Sequence, residues 1–287
     1  MAVHPPSPPR AGSGRMTPPT SADPRPPTPK PVSLTSTSRA ADAGFLTLAD
    51  LAGLTAALDL DYRIVGGHMV TLLVAAHGVA DQVPMRDTAD TDFAALPTVI
   101  GDPRLPAALR DRGYQSREAA NRFSRDHTDA RGQLSLVVDI LAPSYRGTLV
   151  PNQRHGDLVV DEIPGLVLAL HRPAELIDLR VQLTNRDSLA IRVPLPDVTS
   201  ALCLKALAYR GRFTAKDAVD LWRLANAGHA AGLRAADWPV SVTGRQAADV
   251  LHRFFGSPAA AGLKQMSPRA ADRTRMQALV RQLAPKL

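Results

Sequence analysis

From Asp42 onward the chain alternates between two hydrophobic spacings, and the spacing predicts the elements. Phe45, Leu46, Leu48, Leu51, Leu54 and Leu58 recur every three to four residues, the period of one helical face. Tyr62-Arg63-Ile64-Val65 is short and β-rich and ends in Gly66-Gly67, after which the apolar run Met69 to Ala76 predicts a helix. A basic helix is expected from Arg104 to Tyr114, and strands around 121–126, 134–141, 165–170 and 176–183. Asn185-Arg186-Asp187 supplies a turn before the alternating Leu189-Ala190-Ile191-Arg192-Val193, and Pro194 and Pro196 end that pattern. Beyond Thr199 the period becomes helical, with helices near 199–210, 214–227, 244–255 and 268–284. The pattern predicts an α/β core over 42–197 and a helical region over 198–287, with no internal repeat.

The first 41 residues follow neither period. Residues 1–40 hold 11 of the 25 prolines, spaced by Ser, Thr and Ala, and have too few apolar side chains to offset the entropy of ordering. A disordered tail is expected over 1–41, and Met16 offers an alternative start. No apolar run has bilayer length and no secretory signal precedes the core, so a soluble, cytoplasmic protein with no membrane partner is expected. A single cysteine, Cys203, excludes an internal disulfide and any multi-cysteine zinc site; its apolar neighbours predict a buried helix residue.

The net charge of +7 is unevenly spread. Residues 1–41 carry +4 and residues 241–287 carry +6, which leaves about −3 in the middle. An acidic centre between basic ends suits a cation site whose polyanionic substrate is gathered by peripheral Lys and Arg. The stretch Arg86-Asp87-Thr88-Ala89-Asp90-Thr91-Asp92 sharpens this. Side chains alternate along a strand, so Asp90 and Asp92 share a face. Asp139, a lone carboxylate after Leu134-Ser135-Leu136-Val137-Val138, must be paired, metal-bound or at a strand end. Three such carboxylates would form an oxygen-rich cage for a hard divalent ion against nucleotide phosphates. Each also has a plainer reading: a turn for Asp-x-Asp, an ion pair for Asp139.

Taken in order, Val65-Gly66-Gly67-His68, Arg86-x-Thr88-x-Asp90-x-Asp92, Val137-Val138-Asp139, Lys205-Ala206-Leu207 and Arg212-x-x-x-Lys216-Asp217-x-x-Asp220-Leu221 resemble the AbiEii-type nucleotidyltransferases, which include the MenT toxins. The resemblance spans roughly residues 60–226. It implies an α/β (α+β) fold with a polymerase β-like nucleotidyltransferase core and mixed sheet, Mg²⁺ as metal in a two-metal site, and a nucleoside triphosphate as donor. It implies Asp90, Asp92 and Asp139 as metal ligands, with Asp139 also serving as base, and Lys205 on the donor phosphates, oriented by Asp217. Gly66, Gly67, His68, Arg86 and Thr88 are implied at the nucleotide. Two departures stand out. His68 replaces the usual Ser or Thr, leaving a packed or solvent-facing histidine as the alternative, and 22 residues separate Gly67 from Asp90. Asp220 is read as a structural partner for Arg210 or Arg223.

The resulting expectation is an enzyme: a Mg²⁺-dependent nucleotidyltransferase and toxin acting on tRNA, possessing an antitoxin partner. Its rivals are a small-molecule adenylyltransferase of the antibiotic-modifying kind and a non-catalytic binding module. Arg104, Arg110, Arg112, Arg117, Arg122 and Arg125 are read as a groove for acceptor phosphates or as a soluble face. Trp222 and Leu224 are expected in the core.

Overall fold

The computed structural model describes Met1 and residues 28–116 and 121–286; residues 2–27 of the tail expected over 1–41, and Arg117, lie outside the described residues. Two sheets organise the core. The smaller has the order β1-β9-β10, with β1 (Lys30–Thr35) parallel to β9 (Glu175–Gln182) and β10 (Ser188–Leu195) antiparallel to it. The larger runs β2 (Arg63–Val65), β3 (Asp90–Ala94), β6 (Gly132–Ser144), β5 (Arg122–Asp129), β4 (Gln115–Ser116). It is mixed, because β3 runs parallel to β6 while β2 and β5 run antiparallel to their partners. Beyond the end of β5, β8 (Leu158–Pro164) takes its place along β6 and carries β7 (Val150–His155) at its side. This is the α/β class with mixed sheet that the sequence predicts.

Helix α1 (Arg39–Leu58) starts where Ser38 accepts the Ala41 N–H and stops at Asp59, which sits in left-handed backbone. Phe45, Leu48, Leu51 and Leu54 are buried, and the helix packs on β3, β6 and β10. It is the one described helix long and apolar enough to cross a membrane, and it forms part of the core. Helix α2 (Gly66–Ala76) follows β2 directly; α3 (Pro97–Ile100) and α4 (Arg104–Asp111) lie between β3 and β4. From Val198 the chain is helical: α6 (Val198–Arg212), α7 (Ala215–Ala230), α8 (Val242–Phe255), α9 (Ala261–Met266) and α10 (Ala270–Leu283). Asp197 and Thr214 cap α6 and α7 through their side chains. Cys203, Trp222 and Leu224 are buried, and burial pushes the Cys203 thiol up.

Two expectations change. Part of the segment read as tail is built into the fold: Val32 of β1 is buried, and Arg39 holds Asp129 at 3.0 Å. Composition misses this because a distant strand, β9, supplies the ladder partners from Ile177 to Gln182, and Glu175 at its start accepts from the Lys30 ammonium. Residues 165–170, read as a strand, form α5 (Leu166–His171), whose buried Leu166, Ala169 and Leu170 follow a helical period after Gly165 turns the chain at φ +91°.

Candidate active site

Strand register assembles the acidic face. Parallel pairing of β3 with β6 sets Asp92 beside Asp139, and Asp90, two residues earlier, shares the face of Asp92. On the other edge of β6, the turn from Asp129 to Gly132 fixes the antiparallel register with β5, and counting seven residues back and seven on places Arg122 opposite Asp139. The result is a row Asp92–Asp139–Arg122 across three strands. The Arg122 guanidinium forks onto Asp139, Nε to Oδ1 at 2.8 Å and Nη2 to Oδ2 at 2.7 Å, and lies 3.5 Å from Asp90 Oδ2.

The two glycines are explained by what leans on them. Gly66 begins α2 at φ +67°, and a Cβ there would lie 1.7 Å from Asp92 Oδ2. A Cβ on Gly67 would lie 2.2 Å from Thr88 Oγ1, a buried hydroxyl without a hydrogen-bond partner among the described residues. Any larger residue would displace the carboxylate or the hydroxyl. No side chain caps α2, so its first-turn N–H groups meet this same corner with the positive end of the helix dipole.

Across the cleft, α6 and α7 provide the cations. Lys205 Nζ is 2.7 Å from Asp220 Oδ2 and 3.8 Å from Asp217 Oδ1. Arg86 Nη1 donates to both oxygens of Asp220, at 2.8 and 2.9 Å, and Arg212 forks onto Asp217 through Nε and Nη2. Asp220 is fully buried, so its charge is tolerated only because it is paired. Its partners are therefore Lys205 and Arg86, with Arg223 at 3.7 Å; Arg210 instead donates to the Gly147 carbonyl. Lys205, Arg212, Lys216 and Asp217 line one side of a cleft of about 1370 Å³, its open mouth included. Gly66, Gly67, Arg86, Thr88, Asp90, Asp92, Arg122 and Asp139 line the other.

The two sides differ electrostatically. Burial, with the Asp90 and Asp139 carboxylates beside it, raises the Asp92 carboxyl to about 6 against the pull of Lys205. Burial also acts to raise Asp217, but Arg212, Lys205 and Thr214 outweigh it and hold that carboxyl below its usual value.

The structure brings together nine of the ten residues singled out from the sequence. His68 is the exception: buried, it faces Phe45 at 5.6 Å and lines a separate cavity between β1, α1 and α2. Burial lowers its pKa to about 4, so it is neutral at pH 7 and packs instead of meeting phosphate. The cage of three carboxylates also differs from expectation. Among the described residues no group of three or more His, Cys, Asp or Glu gathers in metal-binding geometry, and Arg122 holds both oxygens of Asp139. Among the described members of the arginine set, Arg104 pairs with Asp102 and Arg125 with Asp50, and Arg122 alone lines the cleft. Sequence reading missed the Arg122–Asp139 pair, although the Asp129–Gly132 turn contains the count that finds it.

The donor set fits a hard divalent cation. Asp90 and Asp92 offer oxygen ligands of the kind such a cation takes, and Asp90 and Asp139 add to burial in raising the Asp92 carboxyl.

No protein-family model matches the chain, and no curated protein matches it in sequence. Among solved structures, it is similar to the antibiotic-resistance factor ANT(2″)-Ia, at 14% identity over 82% of this chain and 93% of that one. The TM-score is 0.27, too loose a superposition to assign a fold.

Proposed function

We propose that the chain is a Mg²⁺-dependent nucleotidyltransferase that moves a nucleoside monophosphate from a nucleoside triphosphate to a hydroxyl acceptor. The observation that carries the reading is the corner where Gly66 and Gly67, at the uncapped start of α2, lie against Asp92 and Thr88, with Asp90 and Asp139 in register beside them. Only glycine admits both side chains, and the same corner presents carboxylates for a cation and backbone N–H groups for phosphate.

Each side has its own part. Asp90 and Asp92 would hold Mg²⁺, which when bound supplies neutralisation of the donor phosphates and of the charge that develops between them. Lys205 and Arg212 would bind the leaving pyrophosphate oxygens, and Asp217 keeps both cations turned toward the cleft. Thr88 Oγ1 would donate to a phosphate oxygen, which gives its unpaired hydroxyl a partner. The acceptor oxygen forms its bond to the α-phosphorus while the bond to pyrophosphate breaks, and Asp139 takes the hydroxyl proton.

The acceptor we favour is RNA, in the manner of a tRNA-modifying toxin. A groove lined by Val83 to Arg86, Lys216, and Met266 to Arg269 shares Arg86 and Lys216 with the cleft and leads toward the basic C-terminal helices. Asp81 and Asp272 also line it, the latter neutralised by Arg269 at 2.8 Å. A long polyanion would follow such a path, whereas a small acceptor would not need it.

The test is incubation with Mg²⁺, each labelled nucleoside triphosphate in turn, and total bacterial RNA. Label in tRNA-sized species that disappears with Asp90→Ala supports the reading. Label only on small aminated or hydroxylated molecules would replace the acceptor with an antibiotic-like one. No label on any acceptor would leave a binding module.

A further inference from the structure

Among the described residues Arg122 is the basic side chain paired with the acidic face, and its placement gives it more than one carboxylate to meet. It is the first residue of β5, at the point where the β5–β6 ladder ends and β8 takes over from Leu141. Its side chain is one-third exposed to the cleft, whereas Asp139 is only 13% exposed. Both oxygens of Asp139 are taken, and the same Nη2 is 3.5 Å from Asp90 Oδ2. One guanidinium thus touches two of the three carboxylates that the proposed function needs for metal and base.

We propose that Arg122 is a resident counter-cation that holds Asp139 out of the metal set until a divalent cation and nucleotide displace it. The inference rests on the nucleotidyltransferase reading of this site. A dication on Asp90 and Asp92 would sit close to a guanidinium already 3.5 Å from Asp90, and like charges repel strongly in a partly dehydrated cleft. While Arg122 holds both oxygens of Asp139 in a fork, the lone pairs that face the guanidinium are closed to a metal ion or an attacking hydroxyl. Displacement of Arg122 does two things at once: it lets metal settle on Asp90 and Asp92, and it frees Asp139 to be ligand or base. Tethered at the strand end, the displaced guanidinium keeps its five donors in the cleft, where an anionic substrate oxygen can receive them. The third carboxylate therefore becomes competent only when substrates are in place.

The experiment measures metal binding directly, without turnover. Full-length wild-type protein and the Arg122→Gln and Arg122→Lys variants are titrated with Mn²⁺ and followed by electron paramagnetic resonance and calorimetry, with thermal melts run with and without Mn²⁺. Arg122→Gln is expected to bind Mn²⁺ roughly tenfold tighter than wild type and to gain a larger Mn²⁺-dependent rise in Tm. The gain should vanish when Asp139→Asn is added. Should Arg122→Gln fold poorly, Arg122→Lys keeps the charge but loses the fork, and a smaller tightening is expected of it. Equal or weaker Mn²⁺ binding in the Arg122 variants than in wild type would overturn the proposal while leaving the site reading intact. Absence of Mn²⁺ binding in every protein, with and without nucleoside triphosphate, would overturn both.

Discussion

The two walls of the cleft are built from the same residue types and do opposite things. On the sheet wall three carboxylates, Asp90, Asp92 and Asp139, have one guanidinium, Arg122, in contact, and burial together with the Asp90 and Asp139 charges raises Asp92 to about 6. On the helix wall two carboxylates, Asp217 and Asp220, are met by Lys205 and Arg212 and by Arg86 reaching over from the sheet side, with Arg223 near, and Asp217 is lowered. An aspartate by itself says little. What matters is the count of partners its neighbours supply: the undersupplied wall is the one proposed to hold a cation, the oversupplied one to meet phosphate.

That contrast can be broken from either side. The largest effect is expected from Asp92→Asn, which removes a ligand from the undersupplied wall. Nucleotide transfer should fall roughly 10³-fold, about 4 kcal/mol of transition-state stabilisation. Melting should be little changed or improved, because a charge crowded by Asp90 and Asp139 is lost. A full-rate Asp92→Asn enzyme would end the assignment.

On the helix wall the order reverses, with stability affected before chemistry. Asp220→Asn leaves Lys205 and Arg86 facing a neutral group in a fully buried position and should destabilise the fold by about 3 kcal/mol in urea melts. An unchanged midpoint would mean that these pairs are not formed in solution. Gly66→Ala joins the two walls' logic at the corner. Its Cβ would meet Asp92 Oδ2 and its backbone lies at φ +67°, so about 1–2 kcal/mol of stability and most of the metal affinity should go together. Loss of stability without loss of Mn²⁺ binding would separate the glycine from the carboxylate.

The smallest effect sharpens the comparison through pH. A carboxyl held low when folded contributes stability above its unfolded pKa, and this is lost as pH falls through its folded value. Wild type should therefore exceed Asp217→Asn in stability near pH 7, and the gap should close on acidification below about pH 4. A gap that widens toward acid would contradict the pairing with Arg212 and Lys205.

The sequence alone was enough for whatever depends on near neighbours. Period two and period 3.6 located the strands of Asp90–Ala94, Glu175–Gln182 and Ser188–Leu195 and the helices α6, α7, α8 and α10, though not the short α9, because side-chain facing repeats along a single element. Asp90 and Asp92 on one face follow from that alternation, and Gly66-Gly67 marked a turn that needs no Cβ. Pairings between distant segments were decided by tertiary structure. Lys30–Thr35 became a strand because β9 offered it a free edge, against the composition of its neighbours. Thr88 against Gly67, Arg122 on Asp139, and Asp220 shared by Lys205 and Arg86 join residues separated by 15 to 134 positions. His68 was turned inward by Phe45 and α1, although its position beside the glycines suggested phosphate. A side chain's type limits its possible chemistry, but its charge state and partner depend on burial and on which strand or helix lies opposite, and these exist only once the chain has closed on itself.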